Sequence, residues 1–197
     1  MSKRTSIMWI VVSLAAGALL SCTPHRGYIN PEADFAFYQH VGVIPFSNLT
    51  GDRTAAEKVT SSFTTELLMQ DAVQVSNSGD FFKAVKDAIK GERTNYPEEF
   101  TSEEAMVLGK AAQVEGVFVG AVHEYGMVRV GSDEFPIVGI LVRLFDCQSG
   151  KVVWSYEINR RGGPKFPIFS FGETHTLGDL TTKICREAAS NFAKALK

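Results

Sequence analysis

Three strand-like stretches follow one another with only short turns between them: Val114 to Val130, Pro136 to Asp146 and Lys151 to Arg160. Neighbours joined so tightly must run antiparallel, because a parallel return needs a crossover of about a dozen residues or more. The links agree. Residues 131–135 (GSDEF) and Asp146 to Gly150 (DCQSG) are clusters of turn-forming residues. The second half of the chain is therefore committed to an antiparallel meander.

The first half reads differently. His40 to Phe46 (HVGVIPF) is a short apolar run rich in β-branched residues, a buried strand. Ser47 to Asp52 is a polar turn. Residues 53–71 read as a helix, with Ala56, Val59, Phe63, Leu67 and Met69–Gln70 roughly on one face. Val73–Val75 is a second strand. Ser78 or Asp80 can cap a helix over Phe81–Lys90 that Gly91 ends. A loop surrounds Pro97. Thr101 with Glu104 matches a capping box and predicts a helix to about Gln113. The last helix starts near Thr176, with Leu177, Leu180, Ile184, Ala188, Phe192 and Leu196 as its stripe. The order β-α-β-α-α-β-β-β-α puts crossovers early and hairpins late. It predicts a single α/β domain with a mixed sheet of about five strands flanked by helices.

The N-terminus is an address. Lys3 and Arg4 precede an apolar run, Ile7 to Leu20, too short to span a bilayer comfortably, which takes roughly 20 residues. This is the shape of a secretory signal peptide. The run ends in Leu19-Leu20-Ser21-Cys22, which resembles the bacterial lipobox. The resemblance implies cleavage before Cys22 and diacylglycerol on its sulfur. Thr23 follows rather than the Asp that favours inner-membrane retention in enterobacteria. The expected location is the outer membrane, facing the periplasm. The expected division is 1–21 signal peptide, 22–39 lipidated cysteine and tether, and 40–197 α/β domain. The tether carries two prolines, a glycine and little period, and becomes ordered near Phe35, Phe37 and Tyr38, which would meet the domain, a neighbouring copy or the membrane. Cleavage removes Lys3 and Arg4 from the 20 basic residues, leaving 18 against 22 acidic. A mildly acidic body points away from nucleic acid and is not held at a membrane by charge.

The residues offer little chemistry. There is no phosphate loop, GxGxxG, nucleophile elbow, HExxH or CxxC. No cofactor, metal or catalytic residue is expected. His123 and His175 read as strand and cap residues. Cys147 and Cys185 read as buried free thiols, with a disulfide as the alternative. The stretch Arg160 to Gly172 carries Pro164, Pro167, Phe166, Phe169 and Phe171. It is too apolar for a free loop, so it either folds over the core or meets a membrane or another subunit.

Three segments carry a resemblance. Val41-Gly42-Val43-Ile44-Pro45-Phe46-Ser47-Asn48-Leu49-Thr50-Gly51-Asp52, then Leu108-Gly109-Lys110 to Gly120, then Leu144-Phe145-Asp146 to Trp154 resemble, in order, segments of the CsgG-like outer-membrane lipoprotein superfamily (the CsgG/PelC/LpoB type of periplasmic domain). The resemblance implies a non-enzymatic lipid-anchored domain, often assembled into rings. The three late strands are already used by the sheet, so no surplus hairpins remain for a transmembrane barrel. The expected role is an oligomeric accessory in assembly or export of an extracellular polymer, with envelope secretion or assembly proteins as partners. The alternative is a regulatory binding module such as an activator of a cell-wall synthase.

Overall fold

The computed structural model describes residues 25–76, 79–89, 99–163 and 174–196. The elements are β1 His25–Ile29, a 3-10 turn Phe35–Phe37, β2 His40–Val43, β3 Ser47–Asn48, α1 Ala55–Met69, β4 Gln74–Ser76, α2 Gly79–Ala88, α3 Ser102–Ala112, β5 Gly116–Val130, β6 Asp133–Asp146, β7 Val152–Arg161 and α4 Leu177–Ala195. Seven strands form one mixed sheet in the order β1-β7-β6-β5-β2-β4, with β3 beside β5 off that path. β1, β7, β6 and β5 are antiparallel neighbours. β2 lies parallel to both β4 and β5. The α/β class and the split between an early parallel part and a late meander are as the patterning requires.

The strand count differs, seven in place of about five, and both additions have a physical reason. β3 is two residues long and owes its existence to the parallel partner it finds at Ala121 and Val122. β1 lies in the stretch read as tether, which shows little period. Its five residues pair with Trp154 to Ile158, a long-range contact that leaves no local period. Pro45 ends β2 early, since proline cannot donate to a central ladder. β6 begins at Asp133 rather than Pro136, so the turn shrinks to Gly131-Ser132, with Gly131 at φ 66.

The helices begin where their caps stand. Thr101 accepts a hydrogen bond from Glu104 N–H, and the Glu104 carboxylate accepts from Thr101 N–H, closing the capping box of α3. Thr176 accepts from Asp179 N–H at 3.1 Å at the start of α4. Such caps contribute about 1 kcal/mol each.

Helices cover both faces of the sheet, which therefore holds two cores. Under α1 and α4 the core is aromatic: Phe63 meets Phe118 at 5.3 Å, Phe118 meets Phe192 at 5.0 Å, and Trp154 meets Phe192 at 5.6 Å, all edge-on. Under α2 and α3 a smaller core holds Phe81, Phe100, Leu108, Val117, Val119 and Phe145. Burying each of these large side chains contributes roughly 1.5–3 kcal/mol. Phe118, which alternation would place outward, is fully buried because α1 and α4 close that face. Met69, counted in the α1 stripe, is 68% exposed; Glu66 is buried in its place, beside Leu67, which is buried as the stripe requires. Gly42 lets α2 close on β2, since a Cβ there would stand 2.2 Å from the Phe81 ring. Cys147 and Cys185 are free buried thiols in different cores, on opposite sides of the sheet.

Candidate functional site

Leu19, Leu20, Ser21 and Cys22 lie outside the described residues, as do Phe166, Phe169 and Phe171. The third group, Phe35, Phe37 and Tyr38, is described and divides. Phe35 and Tyr38 belong to the large core. Phe37 alone remains outside, 46% exposed, with its ring 5.6 Å from Tyr38. The domain itself thus takes up two of the three aromatics, and only Phe37 stays available as a contact residue.

Tyr38 also has a polar task. Its hydroxyl donates to Asp146 Oδ2 at 3.0 Å inside the protein. Burial, and then the Asp146 carboxylate, push the Tyr38 phenol well above its ordinary range. The other oxygen of Asp146 accepts from Gln148 N–H and Ser149 N–H. One carboxylate therefore ties the segment after β1 to the β6–β7 turn. Cys147 packs beside it, against Gly109 of α3, where a Cβ would meet the Cys147 Cβ at 2.3 Å. Burial pushes the Cys147 thiol up to about 12, and burial does the same at Cys185. Neither thiol is poised as a nucleophile, which requires the thiolate.

The remaining polar groups form structural pairs. His40 Nδ1 lies 3.2 Å from Glu115 Oε1 at the surface. Arg186 spans both oxygens of the buried Glu66, at 3.0 and 3.2 Å, joining α4 to α1. Tyr156 donates to Glu187, which also receives Arg160 at 2.8 Å. Trp154 Nε1 donates to Asn191 at 3.1 Å. Among the described residues no group of three or more His, Cys, Asp or Glu could hold a metal ion. The buried acid Glu66 was not legible in advance. Its only signal is an acid on the apolar side of α1 with an arginine available elsewhere.

The stretch Asn48 to Asp52, the most motif-like in the chain, is a brace. Asn48 Nδ2 donates to the Asp52 carbonyl at 2.7 Å, and Thr50 N–H donates back to Asn48 Oδ1 at 3.0 Å. Asp52 accepts the Thr54 hydroxyl and N–H, which together hold its carboxyl below the usual range. The motif fixes how the chain enters α1 rather than supplying a reactive group. Beside it lies an open groove of about 420 Å³ between α1 and α2, lined by Pro45, Phe46, Thr60, Thr64, Leu68 and Phe82. Leu68, Met69 and Phe82 stand exposed near β4, the sheet's terminal strand. Among the described residues no helix is long and apolar enough to cross a membrane.

No family model and no curated protein matches the chain. Solved structures do. A PelC dodecamer from Paraburkholderia phytofirmans superposes with a TM-score of 0.57 at 20% identity, over 86% of this chain and 96% of that one. Lipoprotein GNA1162 from Neisseria meningitidis gives 0.52 at 19% identity, over 77% and 99%. The hypothetical protein CT253 from Chlamydia trachomatis gives 0.50 at 13% identity, over 80% and 98%. At these identities the likeness is one of fold.

Proposed function

We propose that this chain is a lipid-anchored lipoprotein of the bacterial outer membrane, facing the periplasm, that serves as a non-enzymatic accessory in assembly or export of an extracellular polymer. The observation that carries this reading is the position of β1. Because β1 starts at His25 and is paired along its length with β7, only residues 23 and 24 separate Cys22 from the sheet. Three extended steps reach at most about 11 Å. A domain held that closely suits a part that braces machinery in its own membrane. It suits poorly a module that must cross the periplasm to activate a cell-wall synthase, which is the alternative reading.

A homo-oligomer is the second part of the proposal. It draws support from the fold shared with a PelC dodecamer and from the exposed Leu68 and Phe82, which line one groove between α1 and α2. An exposed apolar cluster of this kind marks an interface more often than plain surface. The broader kinship with the CsgG-like superfamily belongs to this proposal too.

The test is the mass of residues 23–197 and of the detergent-extracted lipidated chain, by light scattering after size exclusion. A large discrete oligomer of the lipidated chain supports the accessory reading. A monomer in both forms removes it and leaves the regulatory module. In the same membranes Cys22→Ala moves the protein to the soluble fraction; a variant that still sediments with outer membranes shows that the lipid is not the anchor.

A further inference from the structure

We propose that the tip of the β5–β6 hairpin rests in the head-group layer of the bilayer that carries Cys22, so that the domain meets its membrane at a second point. This rests on the anchor reading above and adds a surface to it.

The argument is one of register. His25 stands opposite Ile158, Ile158 opposite Ile140, and Ile140 opposite Val122. The hairpin continues past that level to Val130 and Asp133. From Ile140 to Asp133 is seven residues, or about 23 Å at roughly 3.3 Å per residue. β1 runs from His25 away from the tip. From His25 three steps lead back to Cys22, and whatever their direction they cover at most about 11 Å. The tip of the hairpin therefore overshoots the lipid attachment by about 12 Å or more. A sheet standing on its anchor must then touch the bilayer with the hairpin.

The chemistry of the tip fits that depth. Met127 and Val130 are 48% and 41% exposed, apolar side chains on the tip, which continues past the last β6–β7 pair at Ile137. Arg129, Asp133 and Glu134 surround the turn, with Arg129 directly opposite Glu134. Charges of this kind are expelled from hydrocarbon but are at home among head groups. On its β6 side the arm is accompanied by β7 as far as Ile137, opposite Arg161, and on its β5 side it lacks a third strand. β3 accompanies β5 only as far as Val122, and among the described residues no strand pairs with β5 on that side beyond it. Only the last four pairs, Met127–Pro136 to Val130–Asp133, are two-stranded; a two-stranded ribbon alone in water is marginal, so an external surface is the natural support for the tip.

The buried thiols make the test selective, because Cys147 and Cys185 stay protonated and covered at neutral pH. A nitroxide is placed on Met127→Cys or Val130→Cys in the full chain, with Gln148→Cys in the exposed β6–β7 turn as the aqueous reference. Each protein is purified lipidated, Cys22 is checked by mass spectrometry, and the chain is reconstituted in phosphatidylethanolamine–phosphatidylglycerol vesicles. The expected result is a severalfold loss of collisions with a water-soluble nickel chelate at 127 and 130 relative to 148, with a gain in collisions with oxygen. Labels at 127 and 130 as accessible as 148, on a chain carrying its lipid, overturn the proposal. An unmodified Cys22 overturns the anchor reading itself, and with it the reach argument. The two failures are read from different instruments.

Discussion

β5 and β6 are two strands with two halves. From Gly116 to Val122 and from Ile140 to Asp146 most of their side chains are buried, with helices on both faces. From Glu124 to Val130 and from Asp133 to Ile137 the same ladder continues, yet its side chains are mostly exposed or half-buried. The β5–β6 pairing runs through both halves; packing does not. The inner half is gripped by Tyr38, Gly109, Cys147 and Trp154, while the outer half is held from outside only near its base, where Arg161 stands opposite Ile137, Gly162 N–H donates to the Pro136 carbonyl and Asn159 donates to Glu124. The difference teaches that strand length and core length are set separately here. A register shift between Val122 and Glu124 marks the boundary, as bulges commonly do where a sheet changes its task.

Substitutions should therefore hurt in proportion to their place along this ladder. Trp154→Ala, opposite Leu144 at the inner end, empties the aromatic core and costs about 3–5 kcal/mol, read as a fall in the urea midpoint. Gly109→Val drives side-chain atoms into Cys147 and costs about 1–3 kcal/mol by overpacking; a second change, Cys147→Gly, recovers much of it if the close approach is the cause. Tyr38→Phe leaves Asp146 without its hydroxyl donor and costs about 1–3 kcal/mol. Met127→Ser, on the outer half, stays within about 0.5 kcal/mol. A loss at Met127 equal to that at Tyr38 would break the comparison.

An alkaline titration sharpens it from the inner side. The thiols of Cys147 and Cys185 are pushed from 9.0 up to about 12 in the folded protein. The unfolded chain therefore gives up these protons first, so stability is intact below about pH 9 and falls between there and pH 12. The Tyr38 and Tyr156 phenols, also raised, act in the same direction. Thermal unfolding across that range should show the melting temperature dropping, with a shallower drop for Cys147→Ala and Cys185→Ala. A flat profile would mean that neither thiol is held away from water.

Much of this architecture was legible from pattern alone, and the exceptions have causes. The stripe Leu180, Ile184, Ala188 and Phe192 and the capping pair Thr101–Glu104 are local signals, spaced by helix geometry, and they hold. β1 and β3 are defined by partners far away in the chain, at Ile158 and Ala121, so no window around them could reveal them. The candidate contact residues were harder still. An aromatic cluster reads the same whether it faces water or the core, and only tertiary placement separates Phe37 from Phe35 and Tyr38. Nor does the segment Val114 to Val130 plainly announce where burial stops; His123, Glu124 and Arg129 are the hints in its composition.

The pairing of β1 with β7 has a mechanical side. A load applied through residue 24 along the strand does not peel β1 from its neighbour one hydrogen bond at a time. It pulls His25 to Ile29 lengthwise against Trp154 to Ile158, so the whole ladder is strained in shear at once. Strands loaded this way yield only when several bonds give together. The domain is built to bear tension at its N-terminal end.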